Sequence, residues 1–179
     1  MSVTTSRETA VGEVLYSAAD IAIRVKELGA QLSADYKNRT PLFIGVLHAC
    51  APFLADLTRA VTIPCEFDLI GVTKYNDAEG IRVEKDTAGS IEGRHVVLVD
   101  DTIDTGRTLR YVIRTLLARQ PASLAICTLL DRPHRRTADI EVNYRGFEVP
   151  DVFVVGYGLD DRGRFRELPA LHAHGPWPQ

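Results

Sequence analysis

The chain has 179 residues, 45% hydrophobic and 25% charged, which suits one globular domain with a proper core, and its formal net charge of −3 argues against a general nucleic-acid binder. Three cysteines, Cys50, Cys65 and Cys127, are odd in number and lack CxxC spacing, so they read as free thiols rather than a disulfide framework. With no apolar h-region at the start and no apolar run of membrane-spanning length, a cytoplasmic protein that does not engage a membrane is expected.

No repeat, low-complexity tract or Pro/Gly/Ser linker divides the chain, so residues 1–179 read as a single domain. Ser17 and Asp20 form a capping box with Asp in the Glu/Gln place, and Ile21, Val25, Leu28 and Leu32 follow at helical spacing. "LFIGVL", residues 42–47, is a short continuous apolar run and reads as a buried strand. Pro52 opens a helix whose inner face holds Phe53, Leu54 and Leu57. In "CEFDL", Cys65, Phe67 and Leu69 alternate with two acids, the period of a half-buried strand. Residues 73–90, "TKYNDAEGIRVEKDTAGS", turn polar and read as a long exposed loop of the lid type, with "IRV" as a candidate arm of a short hairpin.

Residues 96–99 make the next strand, an acidic loop follows, and a helix begins at about Arg107. Its apolar stripe is Leu109, Val112, Ile113, Leu116 and Leu117, and Pro121 ends it before a strand at residues 124–130. This βαβ unit implies parallel strands and a right-handed crossover. "EVNYRGFEVP" and "VFVVGYGLDD" come later, the second a clear strand ending in glycine and acid. The fold class is α/β, with a mostly parallel central sheet flanked by helices. Ligands of such sheets sit beyond the carboxyl ends of the strands, where "HAC", residues 100–108, "DRPHRR" and "GLDD" all fall.

The stretch "VVLVDDTIDTGRTL" carries the chemistry. Asp100, Asp101 and Asp104 repel one another and are costly to desolvate, so they need a cation or a hydroxyl-rich partner among them. Thr105, Gly106, Arg107 and Thr108 stand at a helix start, where backbone N–H groups and the helix dipole favour an anion. Phosphate at the helix, sugar hydroxyls at the carboxylates and a divalent cation nearby together describe a phosphorylated ribose. No GxxxxGK[ST] is present and no GxGxxG follows a strand. A haloacid-dehalogenase type of phosphatase is excluded because Thr102 stands where its second Asp would be.

That stretch resembles the phosphoribosyl-pyrophosphate (PRPP) signature of type I phosphoribosyltransferases. "FIGVL", "APFLADLTRA", "IEGRHVVLVDDTIDTGRTL", "ICTLLDRPHRR", "GFEVPDVFVVGYGLD" and "RFRELP" follow the order and approximate spacing of one branch, the hypoxanthine-guanine phosphoribosyltransferases. The resemblance covers residues 42–169. It implies a type I phosphoribosyltransferase fold with a small hood from the N- and C-terminal segments and a flexible lid at about 73–90. It also implies Mg²⁺, PRPP and a purine base as partners, and a homodimer or homotetramer.

Residue by residue, the resemblance gives Asp104, Thr105, Gly106, Arg107 and Thr108 to the 5-phosphate. It gives Asp100 and Asp101 to the ribose hydroxyls, and Asp104 also to the purine N7 as general acid/base. Leu47, His48, Ala49 and Arg166 go to pyrophosphate, and Arg132, Phe153, Val154 and Asp160 to the base; Lys74, outside the family pattern, is a candidate to add positive charge over the pyrophosphate. Asp100, Asp101 and Asp160 go to the metal. Five positions depart from the family pattern: His48 replaces a lysine, Ala49 a glycine, Arg132 a lysine and Asp100 a glutamate, and Lys74 stands where the serine of a Ser-Tyr pair is usual. The implied activity is transfer of phosphoribose to hypoxanthine or guanine. The alternatives are a relative tuned to a modified purine-like base and an RNA-binding or nucleotide-sensing regulator on the same fold. "HAH" at His172 and His174 offers two metal-ligand types without partners and is expected to be a polar tail.

Overall fold

Ser17 starts the first long helix as its sequence requires. Its hydroxyl accepts the Asp20 N–H at 3.2 Å, and the Asp20 carboxylate accepts the Ser17 N–H at 2.9 Å. The computed structural model describes residues 11–74 and 80–175. In chain order these are β1 (Val14–Tyr16), α1 (Ala18–Asp35), β2 (Leu42–Leu47), α2 (Ala51–Ala60), β3 (Glu66–Lys74), β4 (Ile81–Lys85), β5 (His95–Ile103), α3 (Arg107–Leu117), β6 (Ser123–Asp131), β7 (Tyr144–Glu148), β8 (Val154–Val155) and β9 (Leu171–Ala173), with a 3-10 turn at Pro133–Arg135 before β7.

The main sheet has the order β4-β3-β2-β5-β6-β7. All its pairings are parallel except β3 with β4, which are antiparallel. A second sheet, β1-β9-β8, joins both ends of the described chain in antiparallel pairing. The apolar face of α1 (Ile21, Val25, Leu28, Leu32) and that of α2 (Phe53, Leu54, Leu57) close one core against the sheet. Leu109, Val112 and Leu116 of α3 close the other face over Ile44, Val96 and Leu98. Each fully buried Leu or Phe in these layers contributes about 1.5–3 kcal/mol. No helix among the described residues is long and apolar enough to cross a membrane.

Several expectations need correction. Phe67 is 65% exposed, although it alternates with Cys65 and Leu69. The α1–α2 layer reaches those two neighbours and stops short of it. Leu117 is exposed because it lies about 100° round the helix from Leu116, away from the sheet. Residues 81–83 form the hairpin arm that the sequence offered: β3 runs to Lys74 and pairs with β4, whose Val83 packs on the α3-side core, so residues 73–74 and 81–85 are strand rather than loop. Asp86 is then fastened to Arg119 at 2.7 Å. Tyr75 lies outside the described residues.

Asp100 and Asp101 belong to β5 itself rather than to a loop, since β6 runs alongside and pairs Asp100 with Thr128. "VFVVGYGLDD" yields only β8, in the small sheet. Gly156 and Gly158 both adopt φ +100°, which ends the extended backbone. "HAH" is a strand with its flank rather than a tail: His172 is buried in β9, where its ring contacts the Gly12 carbonyl at 3.3 Å.

Candidate active site

Side chains alternate along a strand, so two adjacent carboxylates on β5 face opposite sides of the sheet. Asp100 follows Val96 and Leu98 toward the α3 face, and Asp101 follows Val97 and Val99 toward the α1–α2 face. The cavities agree. Asp100 lines a cavity of about 120 Å³ with Thr102, Asp104, Thr105, Gly106, Arg107 and Thr108. Asp101 lines one of about 250 Å³ with Ala49, Asp104, Arg132, Phe153, Val154 and Asp160. A third space of about 460 Å³ contains both aspartates together with Leu47, Thr73 and Thr108. Burial pushes the Asp101 carboxyl up to about 6, against the opposing pull of hydrogen bonds from its own N–H, Asp100 and Thr102 and of the Arg166 charge.

The small cavity lies at the start of α3. Gly106, at φ +79°, turns the chain into the helix, and among the described residues no side chain caps that end. The Arg107 N–H has only a long bond, 3.5 Å, to Thr105 Oγ1. The loop is fixed from behind. The Thr105 carbonyl accepts the N–H groups of Thr137 and Ala138 at 3.1 and 3.0 Å, and the Asp104 carbonyl accepts Arg136 Nε at 3.2 Å. Donors at a helix start with two threonine hydroxyls beside them suit one phosphate group.

The second cavity is built by chain ends that meet from far apart in sequence. Arg132, directly after β6, is 1% exposed, and its N–H bonds to the Ile103 carbonyl at 3.1 Å. Burial holds its guanidinium below the ordinary arginine range, while the charge of Asp104 opposes that shift. Phe153 is pinned by pairing to the C-terminal strand. Its carbonyl accepts the His174 N–H at 2.8 Å, and the His174 ring lies 6.1 Å from its own. Asp160 pairs with Arg166 at 2.8 Å and accepts the Gly163 N–H at 2.6 Å. Gly158 packs directly on the Ala49 carbonyl, where a Cβ would collide, so the Asp160 loop closes onto the turn after β2.

That turn contains a cis peptide bond between Leu47 and His48. Leu47 and Ala49 reach the cavities, whereas exposed His48 lines none of the three. Lys74 ends β3, one residue after Thr73, which lines the third space. Asp100, Asp101 and Asp160 do not assemble into a cage: among the described residues no group of three His, Cys, Asp or Glu side chains is arranged around a metal position.

Residue-by-residue reading of the sequence passed over the charges that organise this site. Asp131, 1% exposed, is held by Arg145 at 2.7 Å and by Arg136. Arg135 bonds to Asp104 at 2.6 Å and to Asp151 at 2.7 Å. His174 lies 3.4 Å from Asp161. The run "DRPHRR" was the only signal of the first two groups, and composition alone assigns it no partners. A separate groove of about 460 Å³ between α1 and α2, lined by Ile21, Val25, Ala60 and Pro169, lies away from all of these groups and is mostly apolar.

The profile of the phosphoribosyl transferase domain matches residues 12–162. The chain belongs to the phosphoribosyltransferase family. Within that family it falls in the hypoxanthine-guanine branch. It is 43% identical over 165 residues to the hypoxanthine-guanine phosphoribosyltransferase of Bacillus subtilis, covering 90% of this chain and 92% of that one. It is 42% identical to the hypoxanthine phosphoribosyltransferase of Haemophilus influenzae, over 87% and 91% of the two chains. The crystal structure of a hypoxanthine phosphoribosyltransferase from Staphylococcus aureus superposes on this phosphoribosyltransferase with a TM-score of 0.93, at 38% identity, over 98% of this chain and 97% of that one. The architecture is thus the type I phosphoribosyltransferase fold, as the sequence resemblance implied.

Proposed function

We propose that this phosphoribosyltransferase moves the 5-phosphoribosyl group of PRPP onto a ring nitrogen of hypoxanthine or guanine, releasing pyrophosphate and forming IMP or GMP in purine salvage. The observation that carries the reading is the cavity of about 250 Å³ in which Arg132, Phe153, Val154 and Asp160 meet Asp101 and Asp104, beside a phosphate-sized cavity at the α3 start.

In this reading Thr105, Gly106, Arg107 and Thr108 hold the 5-phosphate, and the paired carboxylates of Asp100 and Asp101 accept the ribose hydroxyls from two sides. The bond from the anomeric carbon to pyrophosphate breaks as the base nitrogen approaches, and positive charge builds on the ribose. The acidic strand end favours that charge electrostatically. Asp104 accepts the proton shed at N7 of the base. Phe153 stacks on the ring, the Val154 backbone reads its edge, and Arg132 donates to the 6-oxo oxygen. A 6-amino base offers Arg132 no acceptor, which disfavours adenine. Arg166 and the turn of Leu47, His48 and Ala49 meet the pyrophosphate, with Lys74 beside them.

The donor set suits Mg²⁺. Asp100, Asp101 and Asp160 offer hard carboxylate oxygens of the kind that would hold it. Bound there, Mg²⁺ supplies charge neutralisation for the departing pyrophosphate. We further propose that residues 1–179 form one domain, that the β1-β9-β8 sheet acts as a hood and residues 73–90 as a lid, and that the protein works in the cytoplasm as a homodimer or homotetramer. The three free cysteines are in keeping with a reducing compartment.

The test is pyrophosphate release with PRPP and Mg²⁺ against hypoxanthine, guanine, xanthine, adenine and a 7-deazapurine. Turnover of hypoxanthine or guanine without adenine supports salvage. Silence on both, with PRPP still bound, overturns it and redirects attention to a modified base or a regulatory role.

A further inference from the structure

Asp104 does not approach the base-side cavity alone. One of its carboxylate oxygens, Oδ1, lies 2.6 Å from Arg135 Nε, and Nη1 of the same guanidinium lies 2.7 Å from Asp151 Oδ1. Arg135 sits on the 3-10 turn that directly follows Arg132, and Asp151 stands two residues before Phe153. One planar cation therefore ties the turn bearing the buried arginine to the loop bearing the aromatic, through the carboxylate that faces both. The neighbouring arginine does a different job: Arg136 engages the buried Asp131 and reaches the Asp104 backbone carbonyl rather than its carboxylate.

We infer that Arg135 is a positioning residue for the transfer reaction, one that engages Oδ1 of Asp104 and so aims Oδ2 at the ring nitrogen of the bound base. The inference rests on the reading of Asp104 as proton acceptor given above. A guanidinium–carboxylate bond is directional and charge-assisted, and the donors on different edges of the planar guanidinium allow one arginine to orient two acids at once. Both side chains of the Arg135–Asp104 pair are about 30% exposed, and pairs so placed add little to fold stability. Its consequence is orientation, and orientation acts on rate. Asp151 completes the device by fixing the far side of the guanidinium, so that Arg135 does not swing with Asp104 when the base enters.

The experiment is a double-mutant cycle on steady-state kinetics with PRPP, Mg²⁺ and hypoxanthine, using Arg135→Gln, Arg135→Lys, Asp104→Asn and the pair Arg135→Gln/Asp104→Asn. Arg135→Gln is expected to lower kcat about tenfold while leaving KM for PRPP within about twofold, the pattern of lost alignment rather than lost binding. Arg135→Lys keeps a cation within reach of Asp104 and recovers most of kcat. In the Asp104→Asn background, Arg135→Gln costs nothing further, because the group it aims is gone. Thermal melting of each variant verifies that it folds, and Arg135→Lys supplies the comparison if the glutamine variant does not.

If Asp104→Asn is impaired while Arg135→Gln retains full kcat, the inference fails and the reading of Asp104 stands. If Asp104→Asn retains full activity, both fail. A loss in Arg135→Gln that persists undiminished beside Asp104→Asn, or that falls on KM for PRPP, also overturns the inference, because Arg135 then acts elsewhere.

Discussion

Gly106 and Arg136 are packed so closely that a Cβ on the glycine would stand 3.1 Å from Arg136 Cδ, with Ile140 Cδ1 nearer still at 2.8 Å. The residue that turns the chain into α3 is thus wedged against the segment that holds the phosphate-sized cavity from behind. Its φ of +79° adds a second constraint, since a side chain there is strained in any surroundings. Gly106→Ala is expected to destabilise the protein by about 1–3 kcal/mol and to raise KM for PRPP more than it lowers kcat. Urea unfolding alongside steady-state kinetics checks both.

Asp131 anchors the same segment. Its buried carboxylate bridges Arg136 and Arg145, and Arg136 passes the constraint on to the Asp104 carbonyl. Asp131→Ala leaves Arg136, itself largely buried, without its acid. A loss of about 3 kcal/mol is expected by chemical denaturation, the range for breaking a buried pair from one side. Arg145→Ala is expected to be milder, because that side chain is half-exposed and its partner Asp131 keeps Arg136.

In the function proposed above, base selectivity belongs to Arg132. Replacing it with Met keeps much of the buried volume and removes the donor to the 6-oxo oxygen. A hydrogen bond from a charged group is worth about 1.5–3 kcal/mol, so kcat/KM for hypoxanthine should fall roughly ten- to a hundredfold. The preference over adenine should shrink by the same factor. Arg132→Lys is expected to keep the selectivity. Competition assays with hypoxanthine and adenine distinguish these outcomes.

Asp101 gives the protein a pH signature. Its carboxyl rises from the usual 3.8 to about 6, chiefly through burial, so the folded state holds the proton more tightly than the unfolded chain does. Ionising it in the folded protein is unfavourable. That penalty is absent below about pH 4, grows as pH rises toward 6, and is fully present above it. Asp101→Asn is therefore expected to be more stable than the parent at about pH 7.5, by about 1–3 kcal/mol, with the gain disappearing at about pH 4. The same variant should lose affinity for PRPP. Melting curves across pH and PRPP titration together check the pair of effects, and a stability gain that does not change with pH would contradict the assignment.

Much of the molecule was legible before any folding was considered. The Ser17 cap, the apolar run of β2, the α3 stripe through Leu116 and the turn at Gly106 are each set by residues within one or two turns of each other. Their causes are local: backbone N–H groups that need partners, alternation or helical spacing of apolar residues, and one residue that tolerates positive φ. The turn within Asp100–Thr108 was legible for the same reason, since a strand, a tight turn and a helix start follow one another within nine consecutive residues.

Other features depended on which segments meet. Asp100 and Asp101 were adjacent acids in the sequence; only their placement in β5, with β6 alongside, sends one toward the phosphate-sized cavity and the other toward the base-side cavity. Phe67 follows the alternation of a half-buried strand and is exposed, because covering it depends on how far α1 and α2 extend. Arg135 reaches Asp104 across 31 positions and Asp151 across 16. The sequence by itself determined the caps, the long helices, the strands of the central βαβ unit and the turn at Gly106, because those rest on short-range backbone chemistry. The tertiary structure alone decided which charge faces which, because a charge acts through space on whatever the fold brings within a few ångströms, however far apart along the chain.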